Sequence, residues 1–148
     1  MRFFVDRNLG KRFGQQLRDS DVDVVFLDEL FPQNVSDVTW IQTVGERGWI
    51  ALTRDSAIGR NVLELMAVAA ANLRLVVIVG GQAKTDVLAD NFINTQARIT
   101  RFCHKHPAPF IAKVRLPPAN KRALGKPGSI DMYKDHQALA ALLQQDKS

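Results

Sequence analysis

Apolar and polar positions fall along this chain in blocks rather than singly. Phe3-Phe4-Val5, Val24-Val25-Phe26-Leu27, Trp49-Ile50-Ala51-Leu52 and Leu75-Val76-Val77-Ile78-Val79 are unbroken apolar runs closed by polar residues or glycine. Strands that stay apolar on successive residues are buried on both faces, as central strands of parallel sheets are. A fifth strand is expected over Phe110–Leu116. There Phe110, Ala112, Val114 and Leu116 alternate with Ile111, Lys113 and Arg115, which predicts a wetter strand at the sheet edge.

Between the runs the apolar period lengthens to that of a helix. Leu9, Phe13 and Leu17 recur four apart and predict a helix over 9–19. Pro32 and Asn34 mark 28–34 as a loop. Ser36 is a good N-cap for a helix over 37–47, with Val38, Trp40, Ile41 and Val44 inward and Gly48 at its end. Further helices are expected over 61–72, over 85–104 and over 132–145, the last with Leu139, Leu142 and Leu143 as its stripe. Pro and Gly between Pro117 and Ser129 read as an exposed linker. Strand and helix therefore take turns. The fold expected is an α/β sandwich of three layers, with a mostly parallel five-stranded sheet over 1–117. Residues 118–148 are expected as a basic linker and a C-terminal helix packed on the same domain.

Composition and charge narrow the classes. A chain of 148 residues can bury a real core as one domain. Its single cysteine, Cys103, forms no internal disulfide and supports no cysteine-based zinc site. No apolar run reaches the length of a membrane span, and Asp6 interrupts the N-terminal run too early for a signal peptide, so a cytoplasmic protein is expected. Net charge is +5, unevenly spread. From Asn91 to Ile130 there is no Asp or Glu, whereas Arg98, Arg101, Lys105, Lys113, Arg115, Lys121, Arg122 and Lys126 all fall there. A basic back on an acidic front points to an anionic partner such as nucleic acid, against the plainer reading of a solvated basic face.

Carboxylates stand at the element ends. Asp6 closes the first strand, Asp55 follows the third, and Asp37 opens a helix. Each has an ordinary explanation as a turn residue or a helix-dipole partner. Three of them meeting at one sheet edge would repel one another unless a cation sat between them. Oxygen-only ligation favours Mg²⁺ or Mn²⁺ over zinc. Asp28, Glu29 and Glu46 are weaker candidates.

Phe4-Val5-Asp6-Arg7-Asn8-Leu9, Ser36-Asp37-Val38-Thr39-Trp40-Ile41 and Ile50-Ala51-Leu52-Thr53-Arg54-Asp55 resemble the three motif blocks of the PIN-like nuclease superfamily, in its VapC-type toxin-related branch. The resemblance implies a Rossmann-like parallel sheet and metal-dependent ribonuclease chemistry at its carboxyl edge. Asp6, Asp37 and Asp55 would hold Mg²⁺ or Mn²⁺. It also implies a partner antitoxin. The chain departs from the pattern after the fourth strand, where Gly80-Gly81-Gln82 stands in place of a further acidic residue.

In this reading a metal held by the aspartates activates water against an RNA phosphodiester. Asn8, Thr53 and Arg54 orient the ligands, and Arg7 either holds the carboxylates or meets phosphate. Arg98, Arg101, Lys105, Lys121, Arg122 and Lys126 hold the RNA backbone. His104 and His106 belong to that basic surface. The rival is an inactive module that binds RNA or a protein, favoured by the missing acid. A receiver-like domain ranks last, because Arg7 follows Asp6 where paired acids would be needed. The last helix docks on its own sheet, on a second copy in a homodimer, or on a partner.

Overall fold

The computed structural model describes residues 1–54 and 61–145. Its strands are β1 (Phe3–Val5), β2 (Val24–Phe26), β3 (Ile50–Arg54), β4 (Arg74–Ile78), β5 (Phe110–Arg115) and β6 (Ser129–Lys134). The helices are α1 (Lys11–Asp19), α2 (Leu27–Leu30), α3 (Asp37–Glu46), α4 (Val62–Ala70), α5 (Thr85–Lys105), α6 (Ala119–Arg122) and α7 (His136–Gln145), with a 3-10 turn over Arg7–Leu9. None of the described helices is long and apolar enough to cross a membrane.

The sheet runs in the order β2-β1-β3-β4-β5-β6. β1 to β5 are parallel, and Phe4 lies between Val25 and Ala51. β6 is antiparallel to β5 and forms one edge. The apolar runs bury alternate residues on opposite faces. Phe3, Val5, Ile50 and Leu52 pack with Phe13 and Leu17 of α1 and Phe92 and Ile99 of α5. Phe4, Ala51, Leu75 and Val77 pack with Trp40 and Val44 of α3, Leu65 and Val68 of α4, and Leu139 of α7. Each large side chain so buried contributes about 1.5–3 kcal/mol. The result is a three-layer α/β sandwich, as expected.

Among the described residues the sheet has six strands, not five. Ile130 and Met132 pack toward the core while Asp131 and Tyr133 point outward. This period of two lies inside the segment expected as linker and helix. The leucine stripe of α7 had drawn that helix back to Met132, whereas it starts at His136. β5 is consequently not an edge strand. Its polar positions find partners on β6: Lys113 lies 4.2 Å from the Tyr133 ring centroid, and Arg115 3.8 Å from Asp131. The expected loop over 28–34 begins with α2, held by Glu29, which accepts a hydrogen bond from the Phe26 N–H at 2.9 Å.

Candidate active site

Strand order decides where the first carboxylate lies. From β1 the chain moves outward to β2, then crosses back to place β3 on the other side of β1. Such a reversal opens a crevice outside the carboxyl ends of the two strands, where open α/β sheets bind ligands. Asp6 leaves β1 at this point. Its N–H donates to Leu52 O at 2.9 Å, which fixes the backbone against β3. Its side chain is nearly covered, at 8% exposure, and accepts from the Thr53 hydroxyl at 2.8 Å. The Asn8 amide donates to that hydroxyl at 3.0 Å, while its own carbonyl accepts the Arg54 N–H at 3.0 Å. A directed chain of hydrogen bonds thus runs from the β3 backbone to one oxygen of Asp6. Asn8, Thr53 and the Arg54 backbone are thereby linked to Asp6 by hydrogen bonds.

Two helices bring further carboxylates to the same end. Each follows a strand's carboxyl end, so each begins there. Ser36 caps α3 by accepting from the Thr39 N–H at 3.2 Å. Asp37 in its first turn accepts from the Trp40 indole N–H at 2.8 Å. That indole stacks on Phe4 of β1 with centroids 5.1 Å apart, so the core itself steers Asp37. Asn61 caps α4 by accepting from the N–H groups of Leu63 and Glu64 at 3.0 and 3.2 Å. Glu64 therefore sits in the first turn of α4. α3 and α4 approach closely at Gly45, where any side chain would strike the Ala71 carbonyl.

The Glu64 carboxyl comes within hydrogen-bonding reach of Asp37, a bond that forms when Glu64 carries a proton. Burial first, then that bond and the charges of Asp37 and Asp6, push the Glu64 carboxyl up to about 7. Asp6 is also raised, chiefly by burial and further by the Asp37 charge, against the lowering effect of Thr53. Among the described residues no lysine or arginine pairs with Asp6, Asp37 or Glu64. The positive ends of α3 and α4 offset their charge only in part. An all-oxygen, under-compensated donor set suits a hard divalent cation in its chemistry. Among the described residues, no three acidic, histidine or cysteine side chains close on a common point to hold an ion. Asp55, the third expected ligand, lies outside the described residues.

A family profile described as PIN like domain matches residues 1–80. VapC45 of Mycobacterium tuberculosis, a candidate ribonuclease by name, is 34% identical over 116 residues, which cover 75% of this chain and 83% of that protein. The chain belongs to the PIN-like domain family. No solved structure matches it.

The PIN-like topology sorts the remaining sequence candidates. Arg7 pairs with Asp28 at 2.9 Å and donates to Gln33 O at 2.8 Å, so it braces α2 and the following loop. Glu29 pairs with Arg18 at 2.8 Å. The Arg54 guanidinium donates to the carbonyls of Gly81 and Ala83 at 3.2 and 3.3 Å. Glu46 is exposed. The basic segment divides in two. α5 carries the chain back from the carboxyl to the amino edge of the sheet, so Arg101 and Lys105 lie at the edge away from Asp6. The loop after β5 returns Lys121, Arg122 and Lys126 to the carboxyl edge. Arg98 donates to Gly128 O at 2.8 Å, and the Thr95 hydroxyl accepts the Gly128 N–H at 2.9 Å. α5 thereby ties down that loop.

Glu64 is the site residue that sequence reasoning missed. Its signal was present: an Asn cap followed three residues later by an acid, on a helix that follows a strand ending at the carboxyl edge. Beside Asp6 also opens a groove along β1 and β2, lined by Lys11, Arg12, Gln15 and Arg18. Arg12 and Arg18 there are paired with Asp86 and Glu29.

Proposed function

We propose that this PIN-like protein is a divalent-metal-dependent ribonuclease, the toxin member of a toxin–antitoxin pair. The observation that carries this reading is that Asp6, Asp37 and Glu64 come to the same end of the sheet, near enough for their charges to act on one another, with no ion-pair partner among the described residues. Relatedness to VapC45, a candidate ribonuclease by name, supports RNA as the substrate. Asp6, Asp37 and Glu64, with Asp55 from the sequence, would hold Mg²⁺ or Mn²⁺. The bound ion would supply charge against the scissile phosphate and an activated water.

The chain's own residues do the positioning. Thr53 and Asn8 fix the oxygen of Asp6, and Trp40 fixes one oxygen of Asp37. Asn61 fixes the turn that bears Glu64. Lys121 and Lys126, exposed at the same edge, hold phosphates without reading sequence. The inactive-module alternative rested on the absence of an acid after β4. Glu64, arriving from α4, supplies a carboxylate by another route and supports turnover.

Labelled RNA with Mn²⁺, with and without EDTA, tests the reading beside Asp6→Asn and Glu64→Gln. Cleavage that needs the metal and is lost in both variants is expected. Metal-independent cleavage, or cleavage that survives both substitutions, would overturn it.

A further inference from the structure

At the amino edge of the sheet, away from the carboxylates, lies a cleft of about 370 Å³ lined by Arg74, Cys103, His104, Lys105 and His106. Among the described residues no acidic side chain lines it. Arg74 opens β4 and is half-buried, and its Nε is covered yet has no hydrogen-bond partner among the described residues. The Arg122 Nε is likewise covered without a partner among the described residues, but Arg74 is the arginine that lines this cleft. Arg2, Arg7, Arg12, Arg18 and Arg115 each lie within ion-pair distance of a carboxylate.

Basic residues in the last turn of α5 have an ordinary use, since they complement the negative end of the helix dipole. That accounts for His104 and Lys105 but not for Arg74, which is on a strand. Nor does the dipole, about half a charge, balance the full charges of Arg74 and Lys105 together. The walls are ordered: the His106 ring lies 4.3 Å from that of Phe102, which packs edge-on to Phe110 of β5 at 5.4 Å. Cys103 is buried.

We propose that this cleft is a binding site for a phosphate group, with Arg74 as its donor fork and Lys105 as its second cation. A guanidinium offers parallel N–H groups to two phosphate oxygens, and an ammonium adds a point charge. The imidazoles of His104 and His106 add N–H donors. The site is independent of the nuclease reading, from which it is separated by the length of a strand. The phosphate has two possible sources, free phosphate or the terminal phosphate of a nucleic acid.

Titration calorimetry of the full chain with inorganic phosphate tests this, with a short RNA oligonucleotide bearing either a 5′-phosphate or a 5′-hydroxyl as the second arm. Asp6→Asn serves as background, so that no cleavage intervenes. Phosphate should bind, and Arg74→Met and Lys105→Ala should each weaken it about tenfold or more. Tighter binding of the phosphorylated oligonucleotide than of its hydroxyl counterpart, lost in the same variants, assigns the nucleic-acid end. Equal binding of the two oligonucleotides assigns free phosphate. Should Arg74→Met fail to fold, the exposed Lys105→Ala decides. Absence of phosphate binding, or binding unchanged by Lys105→Ala, would overturn the proposal.

Discussion

Replacing Glu64 by Gln should stabilise the metal-free protein at high pH and abolish its response to divalent cations. The folded carboxyl titrates at about 7 against an ordinary 4.5. Between these values the folded chain holds a proton that the unfolded chain has released. Stability from this group is therefore full below 4.5 and lost as pH rises through 7. Asp6, also raised, acts in the same sense. The Glu64 shift corresponds to roughly 3 kcal/mol at 1.4 kcal/mol per unit. Glu64 is partly exposed, and solvent screening reduces this to on the order of 1–2 kcal/mol. Glutamine keeps the shape and a donor toward Asp37 but cannot ionise. In EDTA the variant should match the parent below pH 4.5 and melt roughly 2–8 °C higher well above pH 7. Mg²⁺ or Mn²⁺ should raise the parent's melting temperature at high pH and leave the variant's nearly unmoved. Thermal melts across pH, with and without metal, measure both. A gain that is the same at every pH, or a metal response kept by the variant, would refute a carboxylate cluster at Glu64.

Thr53→Val removes the donor to Asp6 while keeping its volume. Metal affinity or cleavage should fall about 10–100-fold, with the pH midpoint of cleavage moved upward, since Thr53 lowers the Asp6 carboxyl. Gly45→Ala forces α3 away from the Ala71 carbonyl; denaturant melts should show a loss of about 1–3 kcal/mol. Lys121→Glu with Lys126→Glu should weaken RNA binding and flatten its salt dependence by about one unit per lost contact. Arg101→Glu, at the far edge, should leave metal-dependent cleavage unchanged; equal losses from both edges would argue against RNA entering at the carboxyl edge.

Local periodicity was enough to read β1 to β5 and α1, α3, α4 and α5, because an apolar run or a stripe is written in neighbouring residues. It was enough, too, to see that Asp6 ends a strand and Asp37 starts a helix. β6 was lost because Ile130 and Met132 fit a strand or the leading turn of a leucine-striped helix equally well. Only pairing with β5 selects the strand. What strand order alone decided is neighbourhood. The return across β1 put α3 and α4 side by side, and so joined Glu64 to Asp37. The run of α5 from one sheet edge to the other split a basic segment that looks continuous in sequence. The charge of a residue is fixed by its side chain, but the partner it meets is fixed by where crossover connections carry the chain.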